Sequence, residues 1–463
     1  MLKASDQVEF PLADGTVYSK RKGVTPFSSS KPEEYTSIIG QEKIERLLKV
    51  AARLKGLQIL EVNASAQGGG VAEILLSIIP FMNSLGIDAE WKVITGNPDY
   101  FECTKSMHNL LQGMDGSFTS EMEQTYLKNL EVCGNESFID YRPDVVTIHD
   151  PQPLGLTHYI KKPDEIWLWR CHIDIEQETL EDNPSLFSLI LDLVEHYDAS
   201  IFSTAHYVVS RWDMPKFVIP PFIDPLSDKN KDLTELEIQK VLDTYGINAK
   251  VPIIAQIGRF DPWKGIDRTI ASYRQVKKER DCQLIIAGGT AIDDPEGIRI
   301  LAQILEETKD DENIHVLNLP ADSNIAINGL QRAADVIMQP STKEGFGLVV
   351  TEALWKSKPL ITGNIGGIPL QVSHGNTGFF YENARETAKT IISLLDNPEV
   401  ASGMGACGRQ YVKEHFLMPD RIADYLLALE LLKSGTLNKE TCGECIISYH
   451  PWFKLSKRHN TNN

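Results

Sequence analysis

Short apolar runs, each the length of one β-strand and most followed by residues at helical spacing, recur along this chain, and the recurrence is broken once. Such alternation restricts the fold, because parallel neighbouring strands must be joined by crossover helices, which then cover both faces of the sheet. The first series has a helical pattern at 39–54, a strand at 57–62, the glycines Gly68, Gly69 and Gly70, and a helix at 71–85. Further strands follow at 91–94, 145–148 and 166–169. The break lies at 218–230, where Pro220, Pro221 and Pro225 gather, and charged residues continue to Lys250. The second series has strands at 253–257, 283–287, 315–317, 336–339 and 359–361, with helices at 266–278, 328–334 and 349–356. A last helical pattern occupies 421–432.

The expected organisation is an irregular N-terminal arm (1–38), a first α/β domain (39–225), a second (250–415), a C-terminal helix (416–432) and a polar tail (433–463). At 463 residues the chain exceeds what one hydrophobic core organises, and 42% apolar content lets both halves bury a core.

Ligands of open parallel sheets bind beyond the C-terminal ends of the strands, so chemistry is sought there. After the strand at 253–257 comes Gly258-Arg259-Phe260-Asp261-Pro262-Trp263-Lys264-Gly265. Arg supplies a planar fork of donors and Lys a point charge, a pair suited to one diphosphate. The bland reading is a solvated loop paired with surface carboxylates. The chain as a whole carries a net charge of -18, which disfavours nucleic acid and anionic membranes as partners and demands a local basic cluster for any anionic substrate.

After the strand at 336–339 comes Ser341-Thr342-Lys343-Glu344-Gly345-Phe346-Gly347-Leu348-Val349-Val350-Thr351-Glu352. Gly345 and Gly347 let backbone approach a ligand, and the free amides opening the next helix form an anion site. Glu344 precedes that helix and Glu352 lies about two turns along it, so the two carboxylates could hold hydroxyls of two different sugars. The bland reading of Glu352 is an exposed helix carboxylate.

These segments resemble the signature of the large retaining glycosyltransferase family (glycosyltransferase family 4) that includes sucrose and trehalose synthases. The first half narrows the resemblance to trehalose synthases of the glycosyltransferring type. The residues that carry it are Glu61-Val62-Asn63-Ala64-Ser65-Ala66-Gln67-Gly68-Gly69-Gly70, His149-Asp150-Pro151-Gln152-Pro153, Trp169-Arg170-Cys171-His172-Ile173-Asp174 and Asp293-Asp294-Pro295-Glu296-Gly297. Trehalose phosphorylases of the fungal type share many of these motifs.

The resemblance implies a GT-B fold: two Rossmann-like domains facing across a deep cleft, with the C-terminal helix crossing back to the first. It implies transfer of glucose from a nucleoside-diphosphate donor to free glucose, giving trehalose, with a phosphorylase or another retaining hexosyltransferase with a small acceptor as alternatives. By position, Arg259 and Lys264 hold the diphosphate with the amides of Leu348 and Val349. Glu344 and the amides of Phe346 and Gly347 bind donor glucose, and Glu352 takes the ribose. His172 sits beside the transferring glucose, Asp150 faces the reaction centre or the acceptor, and Gly68, Gly69 and Gly70 line the cleft opposite the phosphates. His149 is expected to be a core histidine satisfied by backbone, and Asp150 before Pro151 also reads as a turn residue.

An Asp-x-Asp metal motif is absent from the sequence, so no metal ligands are assigned and Mg²⁺ enters only as a counter-ion of the diphosphate. Cys442 and Cys445 with His450 supply three candidate ligands, one short of a structural zinc site. Seven unevenly spaced cysteines and a start without an apolar core segment point to a reduced, cytoplasmic protein, and relatives suggest a homodimer. A silent sugar-nucleotide binder and a nicotinamide-dependent dehydrogenase are the readings from other classes. The second lacks the spaced Gly-x-Gly-x-x-Gly fingerprint.

Overall fold

The computed structural model describes residues 17–18, 31–66, 69–175, 182–209, 211–289, 295–442 and 446–448. Among them, fourteen strands form two sheets: β1 Val17–Tyr18, β2 Gln58–Asn63, β3 Asp88–Val93, β4 Val145–His149, β5 Ile166–Cys171, β6 Ala199–Phe202, β7 Lys216–Val218, β8 Ile253–Ile257, β9 Gln283–Gly288, β10 Ile314–Asn318, β11 Val336–Gln339, β12 Leu360–Thr362, β13 Phe379–Phe380 and β14 Ile446–Ser448. The first sheet runs β1-β3-β2-β4-β5-β6-β7-β14 and the second β10-β9-β8-β11-β12-β13. Every pairing is parallel except that of β1 with β3.

The alternation in the sequence therefore builds two parallel sheets, with three corrections to the expected outline. The N-terminal arm is not wholly irregular, because Val17–Tyr18 adds an antiparallel edge strand to β3. Tyr35, also in the arm, is fully buried, with its hydroxyl donating to Asp224 Oδ1 at 3.0 Å. The polar tail likewise returns three residues, β14, to the far edge beside β7. The charged stretch after the proline break holds a helix, Glu235–Thr244, whose Thr234 and Glu237 form a reciprocal cap; it packs on the helix Asn324–Ala333 of the second sheet. Of the Cys442/Cys445/His450 group only Cys442 is among the described residues, and Asp293-Asp294 and Gly68 lie outside them.

The final helix runs Met418–Lys433 and crosses back onto the first sheet, where it packs against the helix Gln41–Arg53. Lys43 pairs with Asp420 and Arg46 with Asp424, each at 2.7 Å, and Arg53 pairs with Glu430. One hydrophobic core runs through this crossing, taking in Ile59 and Leu168 of the first sheet, Ile337 and Val350 of the second unit, and Leu426 and Leu429 of the helix. Both sheets also have a private core on the opposite face, built around Trp167 and Trp169 in the first and Leu284 and Met338 in the second. The continuous core sets the carboxyl ends of the two sheets against each other.

Candidate active site

The loops leaving β8 and β11 are stitched into one surface. Asp261 caps the short turn Pro262–Lys264 by accepting from the amide of Trp263 at 2.9 Å, and Gly265 follows with φ 65°. That glycine is required, because a β-carbon there would stand 2.3 Å from the carbonyl oxygen of Pro340. The amide of Thr342 donates to Trp263 O at 2.8 Å, and Gln256 Nε2 donates to Lys264 O at 2.8 Å. Lys264 is thereby aimed at Glu344, and its Nζ donates to Oε2 at 2.6 Å. Arg259 is looser: its guanidinium is about half exposed, with Asp261 at 3.5 Å.

Gly347 adopts φ 82° and starts the helix Leu348–Trp355, whose amides at Leu348 and Val349 precede the first backbone bond of that turn, Val350 N–H to Gly347 O. These donors follow closely on Glu344, the partner of Lys264. The side chain of Phe346 turns into the core against Phe416. Gly70 comes from the opposite wall, where a β-carbon would stand 3.3 Å from Leu348 Cδ1.

The first sheet contributes its own strand ends. His172 follows β5, and its carbonyl oxygen is so close to Gly345 that a β-carbon there would stand 2.6 Å from it. Tyr207 donates its hydroxyl to Gly345 O at 3.0 Å, and Lys343 reaches across to the carbonyl of Gln112. Asp150 follows β4 in the left-handed region, φ 62°, which Asp tolerates better than most residues. Its Oδ1 accepts from the amide of His172 at 2.7 Å, and its carbonyl accepts from Trp169 Nε1 at 3.0 Å. Asp150 is thus a turn residue tied to the backbone of His172. Burial pushes its carboxyl up to about 7. His108, near Arg259 and Asp261, is held down to about 4 by burial, Lys105 and Arg259.

One expectation and one bland alternative are corrected by side-chain partners. His149 is not satisfied by backbone: its Nε2 lies 2.8 Å from Glu61 Oε2, and its Nδ1 lies 2.9 Å from His172 Nε2, the two rings being near parallel. Glu352 is not an exposed helix carboxylate but fully buried, with Lys229 Nζ 2.9 Å from Oε1 and Gln331 Nε2 donating to Oε2 at 2.9 Å. Lys229 also reaches Glu73 at 2.8 Å. Burial opposes the charge on Lys229, yet the two carboxylates raise its pKa.

Sequence reasoning assigned no role to Glu61, Arg170, Tyr425 or Lys229. The signal for the first two was present, since a charge inside a strand of apolar residues must find a buried partner. Nothing local to Tyr425 or Lys229 marks them. Among the described residues, no group of three His, Cys, Asp or Glu is placed to hold a metal ion, and no helix is long and apolar enough to cross a membrane.

Comparison with known proteins bears on the family and the fold. Residues 61–209 match the family described as trehalose synthase, N-terminal domain, and residues 237–411 match glycosyl transferases group 1. A trehalose synthase of Pyrococcus horikoshii is 42% identical over 417 residues, spanning 88% of this chain and 99% of its own. A more distant relative, a trehalose phosphorylase of Grifola frondosa, is 30% identical over 429 residues, spanning 82% of this chain and 58% of its own. Among solved structures, an α,α-trehalose-phosphate synthase (UDP-forming) from Burkholderia vietnamiensis superposes with a TM-score of 0.66 at 13% identity, over 83% of this chain and all of that one. The fold is GT-B, as expected.

Proposed function

This chain belongs to the trehalose synthase family and is a hexosyltransferase, and from that premise we propose that it joins glucose from a nucleoside-diphosphate donor to free glucose, with retention at the donor carbon, to form trehalose. The observation that carries the proposal is the seam between the sheets. There Gly345, which stands between Glu344, the partner of Lys264, and the helix Leu348–Trp355, meets the backbone of His172.

Arg259 and Lys264 hold the diphosphate with the amides of Leu348 and Val349. Glu344 and the amides of Phe346 and Gly347 take hydroxyls of the donor glucose, and Glu352 takes the ribose. His172 stands beside the transferring sugar, and Asp150 faces the reaction centre. Glu344 is engaged with Lys264, so it is a binding carboxylate and not a covalent nucleophile. The acceptor hydroxyl therefore attacks from the face the phosphate leaves, and its proton passes to the departing phosphate oxygen. Charge growing on that phosphate is met by fixed cations and amides that need no reorganisation. Mg²⁺ enters only as a counter-ion of the diphosphate. The reaction is placed in the cytoplasm, in a homodimer of this chain belonging to glycosyltransferase family 4.

One observation favours a second reading, a phosphorylase on the same scaffold. Both oxygens of the buried Glu352 are already engaged by Lys229 and Gln331, and a phosphorylase has no ribose to offer it. A screen of ADP-, UDP- and GDP-glucose against glucose and its phosphates tests the proposal, with trehalose plus inorganic phosphate as a further arm. Trehalose from free glucose and one of the donors is expected. Glucose-1-phosphate formed from trehalose and phosphate, with no nucleotide requirement, would replace the first reading by the second.

A further inference from the structure

Strand register places Glu61 of β2 opposite Thr147 of β4, and His149, two residues on, opposite Arg170 of β5. All four side chains share the face covered by the helix Met418–Lys433, since side chains alternate along a strand. From that helix Tyr425 donates its hydroxyl to Glu61 Oε1 at 2.9 Å and lies 2.6 Å from Thr147 Oγ1. The other carboxylate oxygen faces His149 Nε2, and His149 Nδ1 faces His172 Nε2. Glu61 and His149 are each about 1% exposed, whereas His172 is half-buried, and its Nδ1 has no hydrogen-bond partner among the described residues.

We propose that Glu61, His149 and Tyr425 are positioning residues that fix the tautomer of His172, leaving its Nδ1 as a bare acceptor at the cleft. A buried carboxylate that already receives the Tyr425 hydroxyl requires a proton on His149 Nε2. Neutral His149 then has a bare Nδ1, which must accept from His172 Nε2–H. Neutral His172 is left with its lone pair on Nδ1, able to accept from a sugar hydroxyl and unable to donate. Burial, Arg170 and His149 hold His172 well below the usual imidazole range, and burial outweighs Glu61 in doing the same to His149. Among the described residues the charged or titratable groups around the pair are Glu61, Arg170, Tyr425 and Asp150, and the Asp150 carboxylate meets the backbone amide of His172, not a ring.

The inference rests on the proposed function for what Nδ1 accepts from, but its test does not. Long-range ¹H–¹⁵N correlation on the full chain labelled at histidine nitrogen reports which ring nitrogen carries the proton. Both His149 and His172 are expected as the neutral Nε2–H tautomer, unchanged from pH 6 to pH 9. Glu61→Gln is expected to shift His172 toward the Nδ1–H form and to lower kcat about 10- to 100-fold with little change in donor KM. Glu61→Asp restores the carboxylate and part of both signals. An Nδ1–H or titrating His172 in the wild-type chain would overturn the proposal, as would an unaltered tautomer in folded Glu61→Gln. Finding the expected tautomer in a chain that makes no trehalose would leave the relay standing and remove the proposed reaction.

Discussion

The carbonyl oxygen of His172 and the α-carbon of Gly345 meet so closely across the seam that the space for a β-carbon is already taken, 2.6 Å from that oxygen. His172 belongs to the first sheet and Gly345 to the second, so this contact sets how near the two sets of strand ends come. In Gly345→Ala the backbones must separate, carrying Glu344 away from His172. Activity is expected to fall at least tenfold, and stability by about 1–3 kcal/mol, as for other insertions into packed sites. Steady-state kinetics and urea unfolding of the one variant check both.

Lys264 has a different signature. Its ion pair with Glu344 is mostly buried but keeps some solvent contact, so Lys264→Met costs about 1–2 kcal/mol of stability. The same change removes a fixed cation from the departing phosphate and releases Glu344 from its geometry. A loss of about 10²–10³ in kcat/KM is expected. Comparing thermal midpoints with kinetics separates the two effects, and a variant of ordinary activity would remove Lys264 from the mechanism.

Asp150 couples the cleft to pH. Its folded pKa of about 7 stands above the ordinary 3.8, so the folded chain binds more protons than the unfolded chain between those values. Its contribution to stability is therefore lost as pH rises from about 4 through 7. Asn keeps an oxygen for the amide of His172, tolerates the left-handed backbone and does not titrate. Asp150→Asn is expected to match the wild type near pH 4 and to exceed it by up to about 4 kcal/mol at pH 8. Denaturant midpoints of both proteins across that range decide it.

Much of the architecture was legible because apolar runs of strand length can be read locally: 253–257 and 336–339 are β8 and β11 without shift, and Arg259, Lys264 and Glu344 follow them to the seam. What was missed is short or non-local. β7 and β14 have three residues each, too few for a pattern, and β14 is a strand only because β7 offers an open edge. The helices Pro98–Leu111 and Ser120–Cys133 interleave polar residues with their buried faces and gave no clear periodicity. Glu61 was visible as a charge in an apolar strand, but its partner Tyr425 lies at the other end of the chain, and no spacing rule joins them. The bland reading of Glu352 as an exposed carboxylate fails for the same reason, because Lys229 and Gln331 arrive from separate segments.

The buried array around Glu352 gives a stability prediction. Glu352→Gln leaves Lys229 with one carboxylate, Glu73, where it had two, and Lys356, already lowered to about 7 by burial, loses its stabilising neighbour. Breaking a buried pair from one side is strongly destabilising, and a loss of about 3 kcal/mol is expected. A denaturant midpoint equal to that of the wild type would show that the array does not hold the fold.

The most direct test of the account is the affinity of the chain for a nucleoside diphosphate. Calorimetric titration of ADP, UDP and GDP into the wild type identifies the tightest, which is then titrated into the double variant Arg259→Ala/Lys264→Ala. Two lost charge-assisted contacts predict binding at least about 100-fold weaker. Equal affinity in the two proteins would contradict the placing of the diphosphate at the seam.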